Sequence, residues 1–138
     1  MSFYRIIDHT ADLGIIVEGQ NRRELFKRAA LALIDLLTDI RQLSPGYTET
    51  VTIKGHDLQD LLINWLREVL YLWNGRNLFA TDIHIYEMSG TTLSARIAFT
   101  AYNPERHKVK REIKAVTYHQ AEVVKTNDQW SARVICDV

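Results

Sequence analysis

Asp57-Leu-Gln-Asp-Leu-Leu-Ile-Asn-Trp-Leu-Arg-Glu-Val-Leu-Tyr-Leu-Trp73 is the stretch from which the fold is read. Leu58, Leu61, Leu62, Trp65, Leu66, Val69, Leu70 and Trp73 recur at three- and four-residue spacing, which lines one side of an α-helix. Asp57 stands where a cap belongs, Asp60 follows at the third position, and Asn74-Gly75 supplies a stop signal. So apolar a stripe has to be covered by other elements. Downstream, residues 78–88 and 91–100 alternate as strands about a Ser89-Gly90 turn, with Ile83 and Ile85 opposing Leu93, Ala95, Ile97 and Phe99. A loop carrying Asn103-Pro104 and the basic run Arg106–Arg111 follows. A final hairpin over 113–137 turns at Asn127-Asp128, with Trp130, Ala132, Val134 and Cys136 on one face and Ile135 and Asp137 on the other.

Upstream, residues 3–7 and 13–18 read as strands, the second with Leu13, Ile15 and Val17 alternating against Gly14, Ile16 and Glu18. A first helix begins at Asn21, whose side chain can cap, with Glu24 three residues on. Leu25, Phe26, Ala29, Leu33, Leu36 and Leu37 give it a broad apolar stripe. Ser44-Pro-Gly46 closes this region, and residues 48–54 form a strand with Val51 and Ile53 on one face. The order predicts an α+β fold, two helices packed on a mostly antiparallel β-sheet, as one domain over residues 1–138. No internal repeat, linker or low-complexity tract interrupts it.

Composition narrows the function. Hydrophobic residues at 46% and charged residues at 25% fit an ordinary globular chain and argue against disorder. Lys plus Arg equal Asp plus Glu at 17 each, so there is no basic surplus for general nucleic-acid binding, and RNA contact is expected to be indirect or weak. One cysteine, Cys136, can form neither an internal disulfide nor a thiolate zinc site, and a reducing compartment fits it. No apolar run approaches the ~20 residues a spanning helix needs, and residues 1–5 lack a signal-peptide core, so a cytoplasmic location is expected, without membrane.

A Gly-rich phosphate loop, an H-E-x-x-H pair and a nucleophile elbow are all missing from the sequence. Asp8-His9-Thr10-Ala11-Asp12, a polar elbow between two apolar strands, is the most suggestive local group. Its two acids, four apart, meet if the elbow is tight, although ordinary turn chemistry accounts for the same pattern and the spacing alone favours it. The final strand ends at Asp137-Val138, beside the terminal carboxylate. If elbow and chain end meet, three or four carboxylates share one small space and need a cation or protonation. All-oxygen ligation suits a hard ion such as Ca²⁺ or Mg²⁺; a solvated terminus is the simpler outcome. Lys114, among apolar neighbours, can hold a phosphate or carboxylate, or be an edge-strand lysine with a snorkelling stem. His9 and His119 are ligand candidates of the kind more often found as hydrogen-bonded structural residues. Arg106–Arg111 can touch RNA phosphate or an acidic partner, or be a solvated face. Asp35 and Asp39 are expected to pair with Lys27 or Arg28.

Asp8-His-Thr-Ala-Asp-Leu-Gly14, Leu37-Thr-Asp39, the helix Asp57–Leu66, Ile113-Lys-Ala-Val-Thr-Tyr-His119 and the ending Val134-Ile-Cys-Asp-Val138 together resemble the archease family, nearly from first residue to last. The resemblance implies an α+β fold and a divalent metal, calcium first, with magnesium or manganese as alternatives. It sets the ligands at Asp12, Asp137 and Val138, with Asp8 close by; Lys114 and His119 are candidate supporting residues from their own chemistry, and no catalytic residue is assigned. It implies a non-enzymatic activator of an RtcB-type RNA ligase in tRNA splicing and RNA repair, one that promotes guanylylation of the ligase by GTP and multiple turnover. A chaperone or modulator of RNA-modifying enzymes is the alternative. A metal-dependent phosphoesterase ranks below both, for want of a base or phosphate cradle.

Overall fold

A computed structural model gives the architecture and describes residues 3–8 and 12–138, without the side chain of Asp8. The elements are β1 (Tyr4–Asp8), β2 (Asp12–Gly19), α1 (Arg22–Leu37), a 3₁₀ turn (Ile40–Gln42), β3 (Tyr47–Lys54), α2 (Leu58–Arg76), β4 (Leu78–Met88), β5 (Thr92–Ala101), β6 (Ala115–Thr126) and β7 (Gln129–Asp137). The α+β class is as expected, two helices on antiparallel sheet. The described strands form two sheets rather than one, β1-β2-β7-β6 and β3-β5-β4, with every neighbouring pair antiparallel.

The helices explain the split. Nine of the sixteen residues of α1 are buried, more than one sheet can cover. α1 touches β2 and β7 of one sheet and β4 of the other, while α2 touches β6 of the first and β3, β4 and β5 of the second. Between the helices, the buried Trp65 donates its indole N–H to the carbonyl of Phe26, 3.0 Å away. One core runs from Ile15, Val17, Ala132, Val134 and Cys136 through both helices to Ile83, Ile85, Leu93, Ile97 and Phe99.

Both helices start the same way. Asn21 accepts the Glu24 N–H at 2.9 Å and Glu24 accepts the Gln20 N–H at 3.0 Å; Asp57 accepts the Asp60 N–H and Asp60 the His56 N–H, both at 2.8 Å. These are reciprocal caps that satisfy otherwise orphaned amides. A glycine stands two residues before each cap. A Cβ on Gly55 would lie 2.5 Å from the Leu61 nitrogen, and one on Gly19 2.7 Å from the Leu25 nitrogen, so each incoming strand crosses directly over a first helical turn.

Two local expectations are corrected. α2 does not stop at Asn74-Gly75 but runs to Arg76, and Asn77 ends it in the left-handed conformation at φ 55. Asn74 stays helical and spends its side chain on the Ile113 carbonyl at 2.9 Å. Asp35 and Asp39 do not pair with Lys27 or Arg28. Asp35 accepts the Tyr4 hydroxyl at 2.8 Å, and Asp39, beyond the end of α1, caps the 3₁₀ turn and binds Arg41 at 3.0 Å. Lys27 faces Asp82, and Arg28 faces Glu24.

Candidate functional site

β2 and β7 are paired along their whole lengths, from Gly19↔Trp130 to Asp12↔Asp137. The last rung of that ladder therefore sets two aspartates directly opposite each other. Both belong to the alternation of Gly14, Ile16 and Ile135, the face turned away from the helices, whereas Leu13, Ile15, Val134 and Cys136 point into the core or pack against it. A Cβ on Gly14 would meet the Ile7 side chain at 2.5 Å and Ile135 at 3.0 Å, so that outer face is filled by isoleucine just behind the acid pair.

Asp137 is held from its other side as well. It is the Cα partner of Ala115, and its carbonyl accepts the Lys114 N–H at 2.7 Å. Lys114 is thus beside the acid pair in the fold, with its side chain exposed and no carboxylate within ion-pair distance among the described residues. Val138 follows directly and is exposed. The backbone of Asp8 pairs with Leu13, one residue from Asp12, while the rest of the elbow, His9, Thr10 and Ala11, lies outside the described residues.

His119 is not drawn in with them. β6 runs away from its Ala115↔Asp137 rung, and His119 sits in an interruption of the ladder between Thr117↔Ile135 and Glu122↔Arg133. Four residues, Tyr118–Ala121, stand there against Val134 alone, and Gln120 takes a left-handed φ of 53. Tyr118, still within β6, donates its hydroxyl to Asp60 at 2.6 Å, with the guanidinium of Arg67 over its ring. That hydrogen bond holds the Asp60 carboxyl below its usual range and raises the Tyr118 phenol. No sequence signal marks this bulge, because its residues have ordinary strand composition.

Chemically, the rung offers hard anionic oxygens and no nucleophile. Cys136, the neighbour of Asp137, is buried, and burial with the nearby Asp12 charge pushes its thiol up to about 12, so it is inert at neutral pH. Like charges directly opposite on a sheet repel, and a cation relieves that repulsion. The donor set, carboxylates and main-chain carbonyls, fits calcium or magnesium and lacks the imidazoles and thiolates that softer metals prefer. Among the described residues no group of three or more His, Cys, Asp or Glu side chains converges; the rung brings together two acids, Asp12 and Asp137.

The fold and this rung define a two-sheet α+β module with an acidic strand end. The chain belongs to the Archease protein family (MTH1598/TM1083), whose model matches residues 4–138. The archease of Methanosarcina barkeri is 36% identical over 98% of this chain and 95% of its own length, and that of Archaeoglobus fulgidus 36% identical over 98% of each. The solution structure of Methanobacterium thermoautotrophicum protein 1598 superposes with a TM-score of 0.83 at 31% identity, covering 100% of both chains. The crystal structure of a Thermotoga maritima archease, described as a possible chaperone, shares the fold with a TM-score of 0.68 at 19% identity, over 96% of this chain and 94% of its own. No described helix is long and apolar enough to cross a membrane.

Proposed function

We propose that this archease-family chain is a cytoplasmic accessory protein that activates an RtcB-type RNA ligase, promoting its guanylylation by GTP and its repeated turnover, without catalysing a reaction itself. The observation that carries the reading is the Asp12↔Asp137 rung, two opposed acids with no cationic side chain in ion-pair contact among the described residues. Asp12, Asp137 and the main-chain oxygens of Val138 hold a divalent cation, calcium first, with magnesium or manganese as alternatives. Asp8 stands close and Lys114 is a supporting group, while His119, in the ladder interruption of β6, is not part of the cluster.

A bound divalent ion supplies fixed positive charge for phosphate oxygens. The chain's own contribution is to hold anionic oxygens on a rigid ladder end. Lys114, whose backbone N–H binds the Asp137 carbonyl, carries an exposed ammonium that offers a contact to an anionic group of the partner. Competing carboxylates of this kind shift where metal and triphosphate sit in a guanylylation site, and its rate depends on those positions. Transfer of labelled GMP from GTP to purified ligase tests this. Added protein accelerates the transfer, and Asp12→Ala and Asp137→Ala proteins, folded by circular dichroism, do not. Equal acceleration by both variants removes the acid pair from the mechanism. The chaperone reading, favoured by the description of the Thermotoga relative, instead predicts protection of unrelated clients from heat aggregation.

A further inference from the structure

We propose that the cleft at the end of β5 is a phosphate-binding site, separate from the Asp12–Asp137 rung. The cleft, of about 390 Å³, is lined by Ser44, Thr100, Tyr102, Asn103, Arg106 and His107, with Ala101 and Pro104. None of these is acidic. Glu105, in the same turn, does not line it; its N–H goes to the Asn103 side-chain oxygen at 3.0 Å. The cleft is therefore rich in donors and has no side chain that would repel an anion.

His107 decides the chemistry. It is 7% exposed, one of few buried polar residues, and packs edge-on against Phe79 at 5.9 Å between ring centres. Its Nδ1 accepts the Asn103 N–H at 3.0 Å, while the Asn103 carbonyl accepts the His107 N–H at 2.8 Å. With the Nδ1 lone pair committed, the neutral ring carries its proton on Nε2, a donor with no partner among the described residues. That N–H is not sealed from solvent, so an incoming ligand can reach it. Arg106 adds a guanidinium that is exposed and unpaired among the described residues. Ser44, Thr100 and Tyr102 add hydroxyls from two other parts of the chain. Donors from several directions suit the three terminal oxygens of a phosphate better than the two of a carboxylate.

Free phosphate and the phosphate monoester of a nucleotide or RNA end share this chemistry. The test is a titration of the full chain, followed by the imidazole ¹⁵N and ¹H signals of His107, with inorganic phosphate, AMP and adenosine, against NaCl at matched ionic strength. Saturable shifts with phosphate and AMP and none with adenosine are expected; phosphate alone binding, with AMP excluded, assigns the site to the free ion and upholds it too. Arg106→Gln, at an exposed position that does not threaten folding, weakens binding by about tenfold or more, the loss of one charge-assisted contact. Shifts that never saturate, that NaCl reproduces, or that Arg106→Gln leaves unchanged overturn the proposal.

Discussion

Asp137→Asn is the perturbation that separates a metal rung from a merely structural one, because the two predict opposite signs. Asp12 and Asp137 are Cα partners, and directly opposed residues of an antiparallel pair have Cβ atoms about 4.5–5.5 Å apart. That is inside the Debye length of about 8 Å at physiological salt, so the repulsion is not screened out. Opposed like charges at a partly exposed rung cost roughly 0.2–1 kcal/mol. Neutralising one of them in EDTA therefore stabilises the protein, by up to roughly 4 °C in Tm for a domain of this length. With calcium at a hundredfold excess over Kd, the wild-type chain gains about 2.7 kcal/mol by mass action, roughly 10 °C. The variant has lost an anionic ligand and gains little. Thermal unfolding followed by circular dichroism in EDTA and in CaCl₂ should thus show the two proteins exchanging rank. If the variant is less stable than wild type in both buffers, with an undiminished calcium shift, the electrostatic reasoning is wrong.

Other outcomes follow from the fold. Gly55→Ala forces a Cβ to within 2.5 Å of the Leu61 nitrogen, backbone that cannot swing aside, and should cost about 1–3 kcal/mol in urea unfolding; a neutral result would mean the strand can lift off α2 freely. Gln120 is exposed with φ 53, so Gln120→Gly should be near neutral while Gln120→Val costs about 1–3 kcal/mol, and a valine variant as stable as the glycine one contradicts the left-handed conformation. Burial first, then the Asp12 charge, raises the Cys136 thiol from 9.0 to about 12. Between those values the unfolded chain has lost a proton that the folded chain keeps. The stability is therefore intact below pH 9 and falls as pH rises toward 12, at up to about 1.4 kcal/mol per unit. Cys136→Ala should flatten this alkaline limb, and identical slopes would exclude the thiol as its cause.

Much of this was legible from residue spacing. Both helix starts were readable because Asn21 with Glu24 and Asp57 with Asp60 are side-chain caps, a local chemistry. The glycines ahead of them were silent, since their role is a close approach made only in three dimensions. Alternation identified the buried faces of β4, β5 and β7, but a period of two does not say which strands share a ladder, so two sheets read as one. Asn74-Gly75 misled because Asn74 found a tertiary acceptor in Ile113, which outweighed its helix-ending tendency. At the site, acids near both chain ends were visible in the sequence. Their register, Asp12 against Asp137 with Lys114 hydrogen-bonded alongside, depends on pairing between residues more than a hundred apart. Of the phosphate cleft only the basic run that begins at Arg106 was legible; its meeting with Ser44 was not, because that residue lies some sixty positions away.

The central claim is that the acidic rung lets this protein act on a ligase, and turnover counts measure that most directly. Purified RtcB-type ligase is mixed with GTP, divalent metal and excess RNA bearing a 2′,3′-cyclic phosphate and a 5′-hydroxyl, and ligated ends are counted per ligase molecule. Sub-stoichiometric wild-type protein should raise the count well above one, and Asp12→Ala and Asp137→Ala should leave it near one. A triple neutralisation of Lys108, Lys110 and Arg111 should still stimulate. Full stimulation by both acid variants, together with failure of the triple variant, would contradict the account, because RNA contact through the basic run would then matter and the carboxylate pair would not.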